Sequence, residues 1–395
     1  MIFTTTEGQT NLPRYFARVM GMASSLRYGR IDFVLPDGRR FRAEGQNPGP
    51  VAELDIHNVD LFARLIREGD LGFCDAYLDG WWSTPDLQAF MDFIHADNED
   101  IYDGFPGMGL VRRYEQLRFW IQRNSKDQAR KNISYHYDLG NDFYGLWLDE
   151  TMSYSSALFD DPQQSMEQAQ IAKYKSMVDE MGVQEGDHVL EIGCGWGGFA
   201  EYAAAERGLK LTCLTISEEQ FNYAVERIEK AGLSDRVTFK LQDYRDEKGL
   251  YDGIASIEMF EAVGEQYWPV YFETVRERLK PGKTATFQII TVAHRRWKVY
   301  KRGVDFIQKY IFPGGMLPSP VVLREQIEKA GLGVEKSIEF GKSYDITLRR
   351  WHETFNDKWD QIAAMGFDER FNRMWNFYLT SCAATFDSGN CDVTQ

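Results

Sequence analysis

Apolar, strand-like segments alternate with amphipathic, helix-like segments from residue 187 to residue 291. The strand-like segments read DHVLEIG, LKLTCLTIS, RVTFKLQ, DGIASIE and KTATFQIIT, and the helix-like segments read GGFAEYAAAE, EEQFNYAVERIEKAG and 265–279. Strands that alternate with helices predict an α/β fold, a mostly parallel, doubly wound sheet with helices on both faces. Ligands of such sheets bind at the carboxyl ends of the strands, so the residues that follow each strand are the first candidates for a site.

The N-terminal part of the chain has a different pattern. The run IDFVLPDGRRFRA (31–43) predicts a hairpin around Pro36-Asp37-Gly38, and Val51–His57 predicts a further strand. Helical spacing appears in 59–68 and again after Pro85. We therefore predict a smaller α+β domain with a basic linker in residues 1–125, followed by a catalytic domain in residues 126–395.

Charge and cysteine content exclude several classes of protein. The 395 residues include 45 Lys and Arg against 60 Asp and Glu, and the net charge of −15 argues against a nucleic-acid binder. The five cysteines form no C-x-x-C pair, so neither a metal site nor a disulfide framework is predicted. Because no apolar run approaches 18 residues and the start lacks a signal peptide, we expect a cytoplasmic protein with peripheral membrane contact at most.

The turn Leu190–Gly198 is the strongest local motif. It follows a strand, opens a helix and reads G-x-G-x-G-G, which differs from the G-x-G-x-x-G spacing of dinucleotide sites. Its glycines permit a tight turn and close approach of the backbone to a ligand. Glu191, two residues before Gly193, suits a ligand with an ammonium group better than a pyrophosphate. These features predict S-adenosylmethionine, whose methionine end is zwitterionic, and a turn formed only for packing is the alternative.

The turn after the second strand is a further candidate for the cofactor site. Thr215 and Gln220 are predicted to bond the ribose hydroxyls. The same residues are equally consistent with a helix that Ser217 caps and that carries Gln220 in its first turn. The two interpretations are compatible, and both are kept.

Several motifs together resemble the cyclopropane-fatty-acyl-phospholipid synthases and the mycolic acid methyltransferases. The matching stretches are YHYDLGNDFYGLWLD, MSYSSALF, LEIGCGWGGFA, LTISEEQ, LQDYRD, SIEMFEAVG, KYIFPGGMLPS, FGKSYDITLRRW and RMWNFYLTSCAATF, which span nearly all of residues 135–386. The phrase GDLGFCDAYLDGWW (69–82) resembles the additional domain of the phospholipid synthases. The resemblance implies a Rossmann-like, S-adenosylmethionine-dependent methyltransferase that acts on the cis double bond of an acyl chain.

The resemblance also implies two sets of site residues. With Glu191, the predicted cofactor contacts are Tyr154, Ser155, Gly193, Gly195, Thr215, Gln220, Asp243 and Tyr244. A bicarbonate ion is implied beside the reacting carbon, and the predicted catalytic residues around it are Ser156, Glu261, Gln288, Ile290 and Tyr344. The family has Cys at position 156 and His at positions 262 and 288, where this sequence has Ser, Ala and Gln. A glutamine amide does not titrate, so Gln288 could hydrogen-bond the ion but not act as a base.

These substitutions leave the product open. Loss of a proton from the newly added methyl group closes a cyclopropane ring, whereas loss of a proton elsewhere gives a methyl or methylene branch or a diene. Gln288 lies within an apolar strand, where a structural amide is as consistent with the sequence as a ligand. A small-molecule N-methyltransferase and a non-catalytic lipid-binding protein are further alternatives, which the N-terminal domain and the intact glycine turn disfavour.

The segment Ala293–Gly303 is the predicted lipid-facing element. It carries five basic residues with Trp297 and Tyr300 between them, a combination that suits contact with a phospholipid surface. The apolar residues of 306–312 are predicted to line an acyl channel, and a solvated charge run followed by a core helix is the alternative. The predicted partners are an unsaturated phospholipid acyl chain and the inner face of the membrane, and the resemblance adds a homodimer through the N-terminal domain.

Overall fold

A computed structural model of the chain describes residues 1–96 and 139–395, which form two compact units. One unit contains the described N-terminal residues together with Gly303–Lys309 and Trp359–Gly389. The other contains 139–302, Tyr310–Lys358 and Asn390–Gln395. The predicted boundary near residue 125 lies outside the described residues and stays a prediction. The grouping of two C-terminal segments with the N-terminal residues was not part of that prediction.

A five-stranded sheet organises the N-terminal unit, and its strands in spatial order are β1 Ile2–Phe3, β3 Arg40–Glu44, β2 Tyr28–Val34, β4 Asn47–Ile56 and β5 Trp82–Ser83. The predicted hairpin is present as the antiparallel pair β2–β3, and the predicted third strand lies parallel to β2. Pro36-Asp37-Gly38 forms the hairpin turn, where Gly38 has a φ of 85° that favours glycine.

Helices from both ends of the chain cover this sheet. The long helix Glu369–Asp387 packs here, because Arg373 donates hydrogen bonds to the carbonyl oxygens of Tyr77 (2.6 Å) and Trp82 (2.7 Å). The rings of Phe377 and Tyr77 are also in contact, at 5.6 Å between centroids. The helices of this unit are Phe16–Ala23, Leu61–Leu78, Leu87–His95, Trp359–Ala364 and Glu369–Asp387.

The second unit contains a six-stranded sheet of order β11-β10-β9-β6-β7-β8. Its strands are β6 His188–Ile192, β7 Lys210–Thr215, β8 Val237–Leu241, β9 Tyr251–Ile257, β10 Leu279–Val292 and β11 Cys391–Thr394. The pairs β10–β9, β9–β6, β6–β7 and β7–β8 are parallel, and β11 is antiparallel to β10. The predicted doubly wound α/β sheet is therefore confirmed. Strand order reverses between β6 and β9, which is where ligands bind in open sheets of this kind.

Helices cover both faces of this sheet, because alternate residues of a strand point to opposite sides. Val189 of β6 packs with Met177 and Phe199 in one apolar layer, whereas its neighbour Leu190 packs with Phe272 in the other. The helices are Asn141–Gly145, Met166–Met181, Gly198–Arg207, Glu218–Lys230, Trp268–Arg278, His294–Tyr300, Pro320–Lys329 and Gly341–Asp357. Short 3-10 turns occupy Tyr244–Asp246, Phe260–Ala262 and Glu265–Tyr267, and a π-helical turn spans Ile307–Ile311. Within the described residues, no helix has the length and apolarity needed to cross a membrane.

Candidate active site

The glycine turn after β6 serves both packing and ligand access. Gly193, Gly195 and Gly197 have φ values of 83°, 50° and 83°, in the left-handed region that favours glycine. A Cβ atom on Gly193 would lie 2.6 Å from Cγ of Met259, so this glycine is required by packing. A Cβ atom on Gly195 would meet no atom of residues 1–96 or 139–395 within 4 Å. The backbone at Gly195 therefore faces open space that a ligand can occupy.

Glu191 is a buried carboxyl directly before this turn. It accepts a hydrogen bond from Sγ of Cys213 at 3.4 Å and is 2% exposed. Burial raises the pKa of Glu191 to about 8, although the Cys213 bond and the positive charge of Lys173 oppose that rise. A ligand with an ammonium group would favour the ionised form, and this agrees with the predicted cofactor role of Glu191.

The turn after β7 forms the helix cap that the sequence allowed. The Ser217 hydroxyl accepts a hydrogen bond from the backbone N–H of Gln220, at 3.3 Å. The Thr215 hydroxyl accepts from the Ser217 N–H at 3.1 Å and donates to the side-chain oxygen of Gln220 at 3.2 Å. These bonds confirm the cap, and ribose binding by Thr215 and Gln220 stays a prediction.

Asp243 and Tyr244 follow β8 and have different surroundings. Asp243 accepts hydrogen bonds from Nε and Nη2 of Arg245, at 2.7 and 2.6 Å, and is therefore held in an ion pair. The Tyr244 hydroxyl is buried and has no hydrogen-bond partner among the described residues. Burial raises the pKa of Tyr244, so this hydroxyl stays protonated and is a candidate donor to a ligand.

Two buried polar residues of the helix Met166–Met181 donate hydrogen bonds to Ser155 and so fix the segment Tyr154–Ser156. Lys173 Nζ donates to the Ser155 hydroxyl at 2.7 Å, and Gln170 donates to the Ser155 carbonyl oxygen at 3.1 Å. Burial lowers the pKa of Lys173 to about 8, against the charges of nearby carboxylates. Lys173 was not predicted as a site residue. The available signal was its place between Ala169 and Met177 on the apolar stripe of this helix.

Aromatic rings surround the predicted cofactor residue Tyr154. The centroid of its ring lies 5.3 Å from that of Tyr144, 5.6 Å from that of Trp147 and 5.4 Å from that of Trp351. The faces of such rings attract positive charge. The cluster can therefore favour a cationic ligand or a cationic intermediate.

Three hydrogen-bond donors converge on the carboxylate of Glu258. Its Oε1 accepts from the Ser156 N–H and from Nε2 of Gln288, both at 2.8 Å. Its Oε2 accepts from the Tyr344 hydroxyl at 2.7 Å. The structure thus brings three predicted catalytic residues together, but around a glutamate that the sequence analysis missed. The signal was an acidic residue directly after a strand, as at Glu191.

These bonds bear on the predicted bicarbonate site. Gln288 also donates to the Ser156 carbonyl oxygen at 3.1 Å and accepts from Gln395 at 3.0 Å, so it is a fully bonded structural amide. The Ser156 hydroxyl donates to the carbonyl oxygen of Ala157 at 2.9 Å. Because Glu258 and backbone groups take up the donors that would hold the ion, the residues in this arrangement do not fit bicarbonate.

Glu261 and Ile290 form a second contact beside this cluster. The Ile290 N–H donates to Oε1 of Glu261 at 2.5 Å, and Oε2 is buried without a hydrogen-bond partner among the described residues. Burial and then the negative charge of Glu258 raise the pKa of Glu261 to about 8. Burial raises the pKa of Glu258 as well, but its hydrogen bonds oppose that rise. Glu261 therefore holds a proton at neutral pH, whereas the hydrogen bonds to Glu258 favour its ionised form.

The basic segment differs in part from the prediction. Lys298, Lys301 and Arg302 are exposed, as a lipid-facing role requires. Trp297 and Tyr300 instead pack against the apolar core, and the Tyr300 hydroxyl accepts from the Leu317 N–H at 3.2 Å. The expectation that these two aromatic residues face lipid is therefore wrong.

The apolar run that follows the basic segment is divided between the two units. Phe306 belongs to the N-terminal unit, where its ring lies 4.6 Å from that of Phe377 between centroids. Ile311 belongs to the other unit and is 1% exposed. An acyl channel lined by 306–312 stays a prediction.

Comparison with known proteins gives a consistent result. The family model of mycolic acid cyclopropane synthetase matches residues 124–395. Tuberculostearic acid methyltransferase of Mycobacterium tuberculosis is 39% identical over 359 residues, which cover 87% of this chain and 82% of that protein. Cyclopropane-fatty-acyl-phospholipid synthase of Escherichia coli is 36% identical over 354 residues, or 88% of each chain. The chain belongs to the mycolic acid cyclopropane synthetase family.

Solved structures of this family agree with the fold and the cofactor. The cyclopropane synthase MmaA2 from Mycobacterium tuberculosis has a TM-score of 0.64 at 29% identity, covering 67% of this chain and 96% of that chain. The mycolic acid cyclopropane synthase CmaA1, complexed with SAH and CTAB, has a TM-score of 0.63 at 30% identity, with the same coverage of both chains. This family member is an S-adenosylmethionine-dependent methyltransferase. The open space at Gly195, the buried Glu191 and the Tyr244 hydroxyl fit such a cofactor.

The proposed contact of Gly195 with the cofactor can be tested separately from the effect of an alanine on folding stability. We expect Gly195→Ala to weaken binding of S-adenosylhomocysteine by about tenfold or more, because the new methyl group enters the ligand space. Gly186→Ala is the matched control, since Gly186 also has a positive φ, of 85°, and no described residue within 4 Å of its Cβ position. Isothermal titration calorimetry measures both variants. Equal affinity in the two variants would contradict a cofactor contact at Gly195.

The raised pKa of Glu261 predicts a pH-dependent stability. A carboxyl that holds its proton up to about pH 8 when folded, against an ordinary 4.5, loses folding stability as pH rises between those values. Glu261→Gln removes this titration. The variant should therefore gain thermal stability relative to the wild type between about pH 5 and about pH 9. A melting-temperature difference that does not change with pH would show that Glu261 has an ordinary pKa.

Proposed function

We propose that this enzyme transfers the methyl group of S-adenosylmethionine to the double bond of an unsaturated phospholipid acyl chain. The observation that carries the proposal is a pair of carboxyls, Glu258 and Glu261, beside the cofactor turn and near an aromatic cluster. S-adenosylmethionine supplies an electrophilic methyl group. An alkene carries its own nucleophilic electron pair, so the protein needs no activated nucleophile. The cationic carbon formed by the transfer then has to lose a proton, and a carboxylate serves this step.

The predicted site residues take distinct roles in this proposal. The ring of Tyr154 faces the developing positive charge. Lys173 and Gln170 fix the loop that carries Tyr154. Ser156, Gln288 and Tyr344 hold the Glu258 carboxylate, and the Ile290 N–H holds Glu261. Bicarbonate, which the family resemblance implies, has no step in the proposal, because its expected donors bond Glu258.

The names of the relatives cover two outcomes of this chemistry. The name of the Escherichia coli synthase specifies a cyclopropane product, and the name of the Mycobacterium tuberculosis relative specifies a methyltransferase. Loss of a proton from the transferred methyl group closes the ring. Loss from a chain carbon beside the cation leaves a methyl branch and a double bond. A 1,2-hydride shift to the cationic carbon, followed by loss of a proton from the transferred methyl group, leaves a methylene branch. A single reaction scheme therefore contains both products, and product analysis separates them.

The proposal extends to the membrane surface. Lys298, Lys301 and Arg302 are exposed on and just after the helix His294–Tyr300, and Val299 between them is 55% exposed. Clustered positive charge beside an exposed apolar side chain supports peripheral binding to anionic lipid on the cytoplasmic face of the membrane. The N-terminal unit, through its resemblance to the phospholipid synthases, is proposed to present lipid or to form a homodimer.

The proposed reaction predicts a labelled lipid product. Purified enzyme with methyl-labelled S-adenosylmethionine and vesicles of a monounsaturated phospholipid should transfer label to the acyl chains. Mass spectrometry should show the addition of one CH2 unit, since a methyl group enters and a proton leaves. NMR then distinguishes a ring from a branch. Saturated phospholipid is the control, and label in that control or in the head group would contradict addition to a double bond.

The basic segment predicts salt-sensitive membrane binding. A triple change of Lys298, Lys301 and Arg302 to Gln should weaken binding to anionic vesicles by about tenfold, because each basic residue near such a surface contributes on the order of 1 kcal/mol and part of it is screened. The matched control changes Lys175, Lys230 and Lys329 to Gln, which alters net charge equally on other exposed helices. Vesicle sedimentation across a salt series measures binding. Equal affinity of the two variants would exclude this surface.

A further inference from the structure

We infer that Glu258 is itself the base that removes the proton after methyl transfer, so that turnover requires no bicarbonate. The inference rests on the proposed function and adds the identity of the proton acceptor. It makes Ser156, Gln288 and Tyr344 positioning residues that hold this acceptor.

Glu258 lies at the edge of the sheet where the cofactor and the reacting carbon are expected to bind. It directly follows β9, whose neighbour β6 leads into the glycine turn, and strand order reverses between these two strands. The next residue, Met259, packs against Gly193 of that turn. As a whole residue Glu258 has intermediate exposure, whereas its hydrogen-bond partner Gln288 is fully buried. The carboxylate is therefore beside the cofactor turn at the ligand-binding edge of the sheet.

The hydrogen bonds of Glu258 suit a base. All three donors are neutral: a backbone amide, a side-chain amide and a phenol. Neutral donors fix the position of a carboxylate without neutralising its charge as an arginine fork would. Lys173, the buried cation of this region, directs its Nζ to Ser155 instead. When ionised, the carboxylate is therefore fixed in position without an arginine partner and can accept a proton.

The backbone at Glu258 is strained. Its φ of 48° lies in the left-handed region, which residues other than glycine rarely adopt. The Glu258 N–H is fixed by a hydrogen bond to the Gln288 carbonyl oxygen at 2.8 Å. Strain of this kind persists where the surrounding structure imposes it, and it is concentrated at functional sites. A glutamate here places a carboxylate at a position where glycine would relieve the strain.

The step balances without an external reactant. The π electron pair of the double bond forms the new bond to the methyl group, and the S–CH3 bond breaks with its electrons left on sulfur. The neighbouring carbon becomes cationic. A C–H bond of the new methyl group or of an adjacent carbon then breaks. Its electron pair closes the ring or forms a double bond, and the proton passes to Glu258, which returns it to solvent before the next turnover.

The first test uses the wild-type enzyme with methyl-labelled S-adenosylmethionine and monounsaturated vesicles, in CO2-free buffer and in the same buffer with added bicarbonate. We expect initial rates that agree within about twofold. A wild-type enzyme that labels lipid only with bicarbonate present overturns the inference alone. A wild-type enzyme that labels no lipid in either buffer overturns the proposed function and the inference with it.

Two variants test the acceptor directly. Glu258→Gln keeps the size of the side chain but cannot take up a proton, and it should lose about a hundredfold or more of the rate in both buffers. Glu258→Gly suits the φ of 48° and frees three donors, so its low rate should recover when bicarbonate or formate is added. Glu229→Gln, at an exposed position, is the matched control and should keep the wild-type rate.

The variants can also contradict the inference. If Glu258→Gln and Glu258→Gly both retain the wild-type rate in CO2-free buffer, Glu258 is not the base. Binding of S-adenosylhomocysteine should stay within about threefold of wild type in both variants, which separates loss of the base from loss of the fold. A variant that binds this ligand normally yet does not turn over supports the assignment.

Discussion

The Glu258 carboxylate joins segments of the second unit that are far apart in sequence. Its donors come from Ser156, Gln288 and Tyr344, which lie 102, 30 and 86 residues away along the chain. A buried carboxylate that loses a donor is costly, on the order of 1–3 kcal/mol for each unsatisfied group. The loop, the strand and the helix that supply these donors are therefore held in one arrangement by a single charge.

The same region must accept a cationic cofactor without accumulating negative charge in its absence. Glu191 and Glu261 have pKa values of about 8, because burial penalises their ionised forms. Both therefore hold protons at neutral pH, and Lys173 provides a buried positive charge. A positively charged ligand would favour ionisation of Glu191. Binding of a positively charged ligand would thus be coupled to loss of a proton from Glu191.

Local sequence patterns predicted the sheet, its helices and the glycine turn, because each depends on residues that are near one another in the chain. Family motifs also predicted that Ser156, Gln288 and Tyr344 share a site. The central residue of that site was not predictable in this way. Glu258 gains its role from contacts with residues up to 102 positions away, and the sequence does not show that its backbone has a positive φ.

Other differences from the sequence analysis have related physical causes. Helical periodicity in Glu369–Asp387 shows that one face is apolar, but it does not show which unit buries that face. Likewise, the alternation of basic and aromatic residues around Trp297 and Tyr300 does not show which side of the segment packs inward. The buried position of Lys173 was visible in the helical spacing and needed only the premise that a charge on an apolar stripe has a partner.

A base that is part of the chain has a consequence for product selection. A bound anion can shift to meet whichever hydrogen is most acidic, whereas the Glu258 carboxylate is fixed by three hydrogen bonds and by its own backbone. The hydrogen removed is then the one that the bound acyl chain presents to this point. Ring closure and branch formation thus require the same residues and the same cation. What separates them is the position of the acyl chain relative to one fixed carboxylate, a matter of the residues that line the chain rather than of the acid–base chemistry.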